Sequence, residues 1–176
     1  STATRSEVEI SKALRRIDWA AAVYEYIGAY RTRVRSKNFV GKGEFFEPYD
    51  SFRFMFKDTS DDDVVIMANL TSLGDAFRRD WKRILAADAF FMNTDRHMRN
   101  FGVIRSSKTG DVLRLAPNFD NNQAYTANPG GFSANMLRLF VRSADAEDRE
   151  NLKLLAGTCE GSKYLAAACQ AYASLC

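Results

Sequence analysis

The sequence lacks several things, and each absence narrows the reading. No apolar run is long enough to cross a bilayer and no secretory leader pattern stands at its start, so no membrane partner is expected and the setting is read as cytoplasmic, an effector delivered to another cell included. The net charge is only +3 over 176 residues, too small to imply direct nucleic-acid binding. The three cysteines, Cys159, Cys169 and Cys176, lie near the C-terminus without metal-ligand spacing, which predicts reduced thiols and an intracellular protein. There are no internal repeats. Histidine occurs once, at position 97.

What is present reads as one globular domain, or two lobes sharing a core. Residues 5–17, RSEVEISKALRRI, carry apolar groups at helical spacing, with Ser6 and Glu9 placed for a capping box. Residues 20–40 turn aromatic and β-branched and predict two strands joined near Ala29–Arg31, with Arg31, Arg33, Arg35 and Lys37 on one solvated face. GKGEFFEPYD, residues 41–50, reads as a loop from its Gly and Pro. SFRFMFKD alternates aromatic with polar residues, and DTSDDD reads as a solvated turn. A metal site in that aspartate run is disfavoured, because adjacent carboxylates fix no coordination geometry. The clearest helix covers residues 72–92, where Phe77, Trp81, Ile84, Leu85 and Phe91 recur at helical spacing. Asp88 breaks its apolar face, either exposed or pointing into a site. Two short apolar runs around Gly110 predict a hairpin, NNQAYTANPGGFS a loop, and the chain from about residue 133 a set of helices.

Between the long helix and the hairpin lies MNTDRHMRNFGVI, residues 92–104, which gathers polar groups between two buried-looking elements. Asp95 and Asn100 stand five positions apart, and Asp120 follows the hairpin. A tight hairpin returns the end of its second strand to the start of its first, so Asp120 is expected beside Asn100 and Asp95. Two oxygen ligands and a free carboxylate at one sheet edge suit phosphoryl transfer: Mg²⁺ takes few protein oxygens and leaves the rest to phosphate and water, while a second carboxylate orients the attacking hydroxyl. Arg96 and Arg99 read either as phosphate or peptide ligands or as surface ion pairs. Asn93 and Thr94 read as loop-shaping groups.

NTDRHMRNFGVI followed by LAPNFDNN resembles the catalytic core of HipA-like serine/threonine kinases, and the DRH order is similar to the loop of lipid kinases. The strong match covers residues 88–122. The resemblance implies an α+β protein-kinase-like fold, with a mainly helical C-lobe (residues 49–176), a small catalytic hairpin and a truncated N-lobe remnant with hinge (residues 1–48). It implies Asp95 as catalytic base, His97 as a donor to the transferring phosphate or a brace of the loop, and Asn100 and Asp120 as Mg²⁺ ligands. ATP and Mg²⁺ would be the cofactors, and a protein Ser/Thr hydroxyl the acceptor. Backbone groups from Lys37, Asn38, Phe39 and Val40 would meet adenine, and Glu7 or Glu9 would be the helix glutamate that pairs with a phosphate-anchoring lysine.

No Gly-rich run precedes residue 40 and no convincing strand lysine precedes the first helix, so that lysine is expected upstream of Ser1. Asn121–Asn122 stands where the family often has Asn-Gly, a turn Asn tolerates. Two other classes stay open: a kinase of a lipid or small molecule, and a kinase-like module that binds nucleotide or protein without turnover. A neutralising antitoxin-type protein partner is a family-level implication.

Overall fold

The computed structural model describes residues 2–30, 33–124 and 132–176. Helix α1 spans Thr2–Arg16, earlier than the spacing predicts. Ser6 therefore lies inside the helix rather than at its cap. Its hydroxyl donates to the carbonyl of Ala124, more than a hundred residues away, instead of closing a box with Glu9. Strands β1 (Tyr24–Ile27) and β2 (Arg33–Ser36) pair antiparallel as expected, with Tyr24 opposite Ser36.

Strand β3, Glu44–Pro48, corrects the loop expected at residues 41–50. Pro48 ends the strand, where its missing N–H disrupts nothing. The strand is held by cross-strand ion pairs, Glu44 with Arg114 and Glu47 with Arg105, both at 2.7 Å. It borders β4 (Gly102–Ser106), which pairs in turn with β5 (Val112–Leu115), giving the order β3-β4-β5. A Cβ at Gly102 would lie 2.2 Å from the Glu47 carbonyl oxygen, so only glycine lets β3 approach the base of the hairpin.

Three helices lie between β3 and the polar loop. Short α2 (Tyr49–Phe52) leads through a 3₁₀ turn (Arg53–Met55) into α3 (Asp63–Ser72). The sequence pattern does not announce α3, because DVVIMANLTS has no single apolar face. Asp62, from the run read as a solvated turn, caps it by accepting from Val64 N–H. Helix α4 (Asp75–Phe90) matches the strongest prediction. After the hairpin come α5 (Phe132–Ser143), α6 (Ala146–Gly157) and α7 (Ala166–Ala173), the helical tail expected from residue 133. The loop predicted over NNQAYTANPGGFS lies largely outside the described residues.

Two apolar clusters meet on α4. One gathers Ile10, Leu14 and Trp19 with Phe90, Phe91, Leu152 and Leu155, so α1 shares its core with the C-terminal helices. The other gathers Tyr49, Phe52, Trp81, Phe101 and Val103 beneath the three-stranded sheet. Burying side chains of this size is worth roughly 1.5–3 kcal/mol each. Lys82 locks α4 to the start of α6, its ammonium set among Asp145, Glu147 and Asp148. The polar loop thus leaves a helix held on both faces.

Cys159 and Cys169 face each other across the turn between α6 and α7, their Cα atoms 6.3 Å apart, and form a disulfide where reduced thiols were expected. Their separation of ten in the chain hides this, because that turn is what returns one to the other. No described helix is long and apolar enough to cross a membrane.

Candidate active site

Asp88 sits on the buried face of α4, 5% exposed. A carboxylate there requires a cation. Arg96 supplies it through a two-pronged pair, Nε to Oδ2 at 2.8 Å and a terminal nitrogen to Oδ1 at 2.7 Å. The same guanidinium donates to the carbonyls of Asn100 (2.9 Å) and Phe119 (2.8 Å) and to the side-chain oxygens of Asn118 and Asn121. One side chain therefore binds α4, the polar loop and the segment after the hairpin. Burial would lower the Arg96 pKa, but Asp88, with Asp120 and Glu7, holds it above the ordinary value. The surface ion pair entertained for Arg96 is thereby corrected, and Asp88 is neither exposed nor free.

Asn93 donates to Asp88 Oδ1 at 3.1 Å and accepts the N–H of Asp95 at 3.3 Å, the loop-shaping part expected of it. Asn100 closes the loop from the other side. Its amide donates to the Asp95 carbonyl at 2.7 Å, and its Oδ1 accepts the His97 N–H at 3.0 Å. One lone pair on that oxygen is left for a cation. His97 Nδ1 accepts the N–H of Arg99 at 3.2 Å, which puts the ring proton of neutral His97 on Nε2. Arg99 is exposed and, among the described residues, its guanidinium pairs with Asp50 alone, at 3.4 Å.

The hairpin brings Asp120 back as its tight turn predicts. Ala116 N–H donates to the Gly102 carbonyl at 2.8 Å, and Arg96 spans Asn100 and Phe119. The returning segment is also pinned to the start of the chain: Ala22 donates to Asn118 O and Asn118 donates to Ala20 O. Asp120 itself adopts φ +58°, a conformation Asp tolerates better than most residues. Its N–H donates to the Tyr24 hydroxyl at 3.2 Å.

Glu7, on α1, completes this side. It is held by the Asn121 N–H and the Tyr24 hydroxyl, and stands close enough to Asp120 to feel its charge. Burial first, and Asp120 with it, push the Glu7 carboxyl up to about 7 against those two hydrogen bonds. Burial likewise raises the Tyr24 phenol. Of the two candidate helix glutamates, Glu7 is the one at the site; Glu9 pairs with Lys12 at 3.6 Å.

The hinge residues divide. Phe39 stacks on Phe119, the neighbour of Asp120, with centroids 5.4 Å apart. Asn38 accepts the Val40 N–H and shapes a turn. Lys37 turns its ammonium to Glu25 at 2.9 Å, so its side chain is spent within the β1–β2 hairpin.

The donor set fits a hard cation. Among the described residues neither the Asp95 nor the Asp120 carboxylate accepts a hydrogen bond or ion pair. Among the described residues Glu7 Oε2 and Asn122 Oδ1 are buried oxygens without partners, against one such donor in the same region, Asn118 Nδ2. Oxygen acceptors in excess of donors call for a cation, and oxygen is what Mg²⁺ takes. No cluster of three His, Cys, Asp or Glu residues placed to hold a metal alone occurs among the described residues, so phosphate and amide oxygens would have to complete the shell.

No family model matches the sequence, and neither does any curated protein. The architecture does have a solved counterpart: the crystal structure of CtkA, a proinflammatory kinase of Helicobacter pylori, superimposes with a TM-score of 0.61 at 12% identity, covering 99% of this chain and 88% of that one. The fold is kinase-like. The likeness is one of fold, and at this identity what the chain does must be argued from its own side chains.

Sequence reasoning missed two members of the site. Tyr24 was read only as a strand residue, and nothing in its neighbourhood signals a hydroxyl placed between Glu7 and Asp120. The Arg96 hub could have been found: a lone carboxylate on the apolar face of α4 needs a cation, and the next basic residues beyond the end of the helix are Arg96 and Arg99.

Proposed function

We propose that the chain is a HipA-like protein kinase that transfers the γ-phosphate of Mg-ATP to a Ser or Thr hydroxyl of a protein. One observation carries the reading: Arg96 binds both loops of the site, and the carboxylates of Asp95 and Asp120 are left unpartnered on either side of it.

In this reading Asp95 orients the acceptor hydroxyl and takes its proton. Asp120 and the remaining lone pair of Asn100 hold Mg²⁺, which in bound Mg-ATP supplies the positive charge that stabilises the transferring group. His97 directs Nε2–H toward the phosphoryl oxygens, its other nitrogen being spent on the loop. The backbone of residues 37–40 lies along the nucleotide base, next to the Phe39–Phe119 stack. Residues 1–48 act as hinge and part of the smaller lobe, residues 49–176 as the larger one, and the setting is cytoplasmic. An antitoxin-type partner belongs to the same proposal.

A second reading is favoured by Glu7. Its Oε2 has no partner, and no described lysine reaches it, so the phosphate-anchoring ion pair of a working kinase is not formed among the described residues. The chain would then bind nucleotide without turnover. Incubation with Mg-ATP and a radiolabelled γ-phosphate separates the two. Transfer lost in Asp95→Ala, with nucleotide binding kept, supports the kinase. Equal label in wild type and Asp95→Ala overturns the catalytic assignment. Tight Mg-ATP binding with no transfer favours the second reading.

A further inference from the structure

A cavity of about 510 Å³ opens beside the polar loop. It falls in the range of roughly 300–1,000 Å³ typical of ligand sites. Its floor is apolar: Trp81 and Leu85 from α4, Met136 and Phe140 from α5. Thr94 and His97, each within two positions of Asp95 in the chain, also line it, as do Asp61 and Asp63 around the start of α3. Both aspartates are exposed, and neither has an ion-pair partner among the described residues. The one arginine in the lining, Arg96, is already neutralised by Asp88, which shares that lining. The lining therefore joins unpaired negative charge to an apolar surface, and its Thr94 and Arg96 are the chain neighbours of the aspartate assigned to the acceptor hydroxyl.

We infer that this cavity seats the acceptor protein, as a segment with a large apolar side chain on the floor and an Arg or Lys at Asp61 and Asp63, close to the Ser or Thr that is phosphorylated. The inference rests on the kinase reading and names its substrate class. Charge decides between occupants. A phosphorylated lipid headgroup would bring its anion against two uncompensated carboxylates, whereas a basic peptide meets them with opposite sign. The apolar floor asks for a side chain that a soluble sugar or polyol lacks.

The test uses the full chain and three labelled peptides with a central serine: one carrying Arg and Leu, one with Glu for Arg, and one with Ala for Leu. Anisotropy without nucleotide reads docking, and transfer from Mg-ATP is read separately. The Arg–Leu peptide should bind, and each peptide change should weaken it by roughly tenfold. Asp61→Asn with Asp63→Asn should weaken the Arg–Leu peptide by about as much, raising its KM with kcat within about twofold. Asp61→Lys with Asp63→Lys should reverse the preference toward the Glu peptide; these positions are exposed, and circular dichroism checks that the fold is kept. Docking that follows this pattern without transfer keeps the cavity and ends the kinase reading. Transfer to all three peptides alike, indifferent to Asp61 and Asp63, keeps the kinase and overturns the cavity. Failure of all three peptides to dock, or transfer to phosphoinositide vesicles in their place, overturns it too.

Discussion

The loop 93–100 has two sides, and they are built on opposite rules. Inward, every group has a partner: Asp88 with Arg96, Asn93 with Asp88, Asn100 with the Asp95 carbonyl and the His97 N–H. Outward, the carboxylates of Asp95 and Asp120 have none among the described residues, and Glu7 keeps an oxygen orphaned in a buried place. The first side resembles a folded core, whose stability comes from satisfaction. The second leaves carboxylate oxygens open, where a cation bound with phosphate would be held. A rigid inner face is what lets the outer one hold its carboxylates in fixed positions without hydrogen bonds of their own.

The sharpest way to break this contrast is Arg96→Met. It leaves Asp88 buried and uncompensated and cuts the ties to Asn100 and Phe119, so the unfolding free energy should fall by about 3–5 kcal/mol. Chemical denaturation reads it. The pair Arg96→Met with Asp88→Leu should recover part of that loss, because no orphan charge remains. Asp95→Ala makes the opposite cut. It should lower phosphoryl transfer by about 10²–10⁴-fold. Stability should stay within about 0.5 kcal/mol, since this exposed carboxylate has no partner to lose. A large stability loss in Asp95→Ala would mean that the two sides are not separate.

Glu7 tests the outer side through pH. Its folded pKa, about 7, is raised above the usual glutamate value, so folding favours its protonated form. Its contribution is full below about pH 4.3, the unfolded value, and is lost as pH rises through about 7. Glu7→Gln should remove this slope and, without divalent cation, leave the protein up to about 2 kcal/mol more stable than wild type at pH 8. Denaturation at pH 5 and pH 8 measures it. In wild type, added Mg²⁺ should recover stability mainly at pH 8, where Glu7 is charged, and Asp120→Asn should blunt that response.

The sequence made one part of this legible and hid another for physical reasons. Period and turn chemistry are local, so α4, the β4–β5 hairpin and the return of Asp120 could be read from residues 72–120. β3 could not, because its partner strand β4 lies about sixty residues on and their close approach depends on the missing side chain of Gly102. α3 escaped because it is apolar on more than one side, so no period marks it. Among the candidate site residues, Asp95, Asn100 and Asp120 are suggested by spacing. Tyr24 and the choice of Glu7 over Glu9 depend on how α1 lies against residues 120–124, a tertiary fact with no local trace.

The smallest effect is expected at Arg99, three residues from Arg96 and of the same chemistry. Its guanidinium is exposed and meets Asp50 at 3.4 Å in open solvent, where such pairs are worth under about 1 kcal/mol. Arg99→Ala should therefore change the unfolding free energy by less than about 0.5 kcal/mol. Its backbone N–H, which holds His97 Nδ1, survives the substitution, so the loop should keep its shape and phosphoryl transfer its rate. The same cut at two arginines then isolates position from chemistry. If Arg99→Ala lowered transfer strongly while leaving stability alone, the exposed arginine would be a phosphate or peptide ligand, and the working side of the loop would extend past His97. If it destabilised the fold as much as Arg96→Met, the division between a satisfied inner face and an unsatisfied outer one would be lost.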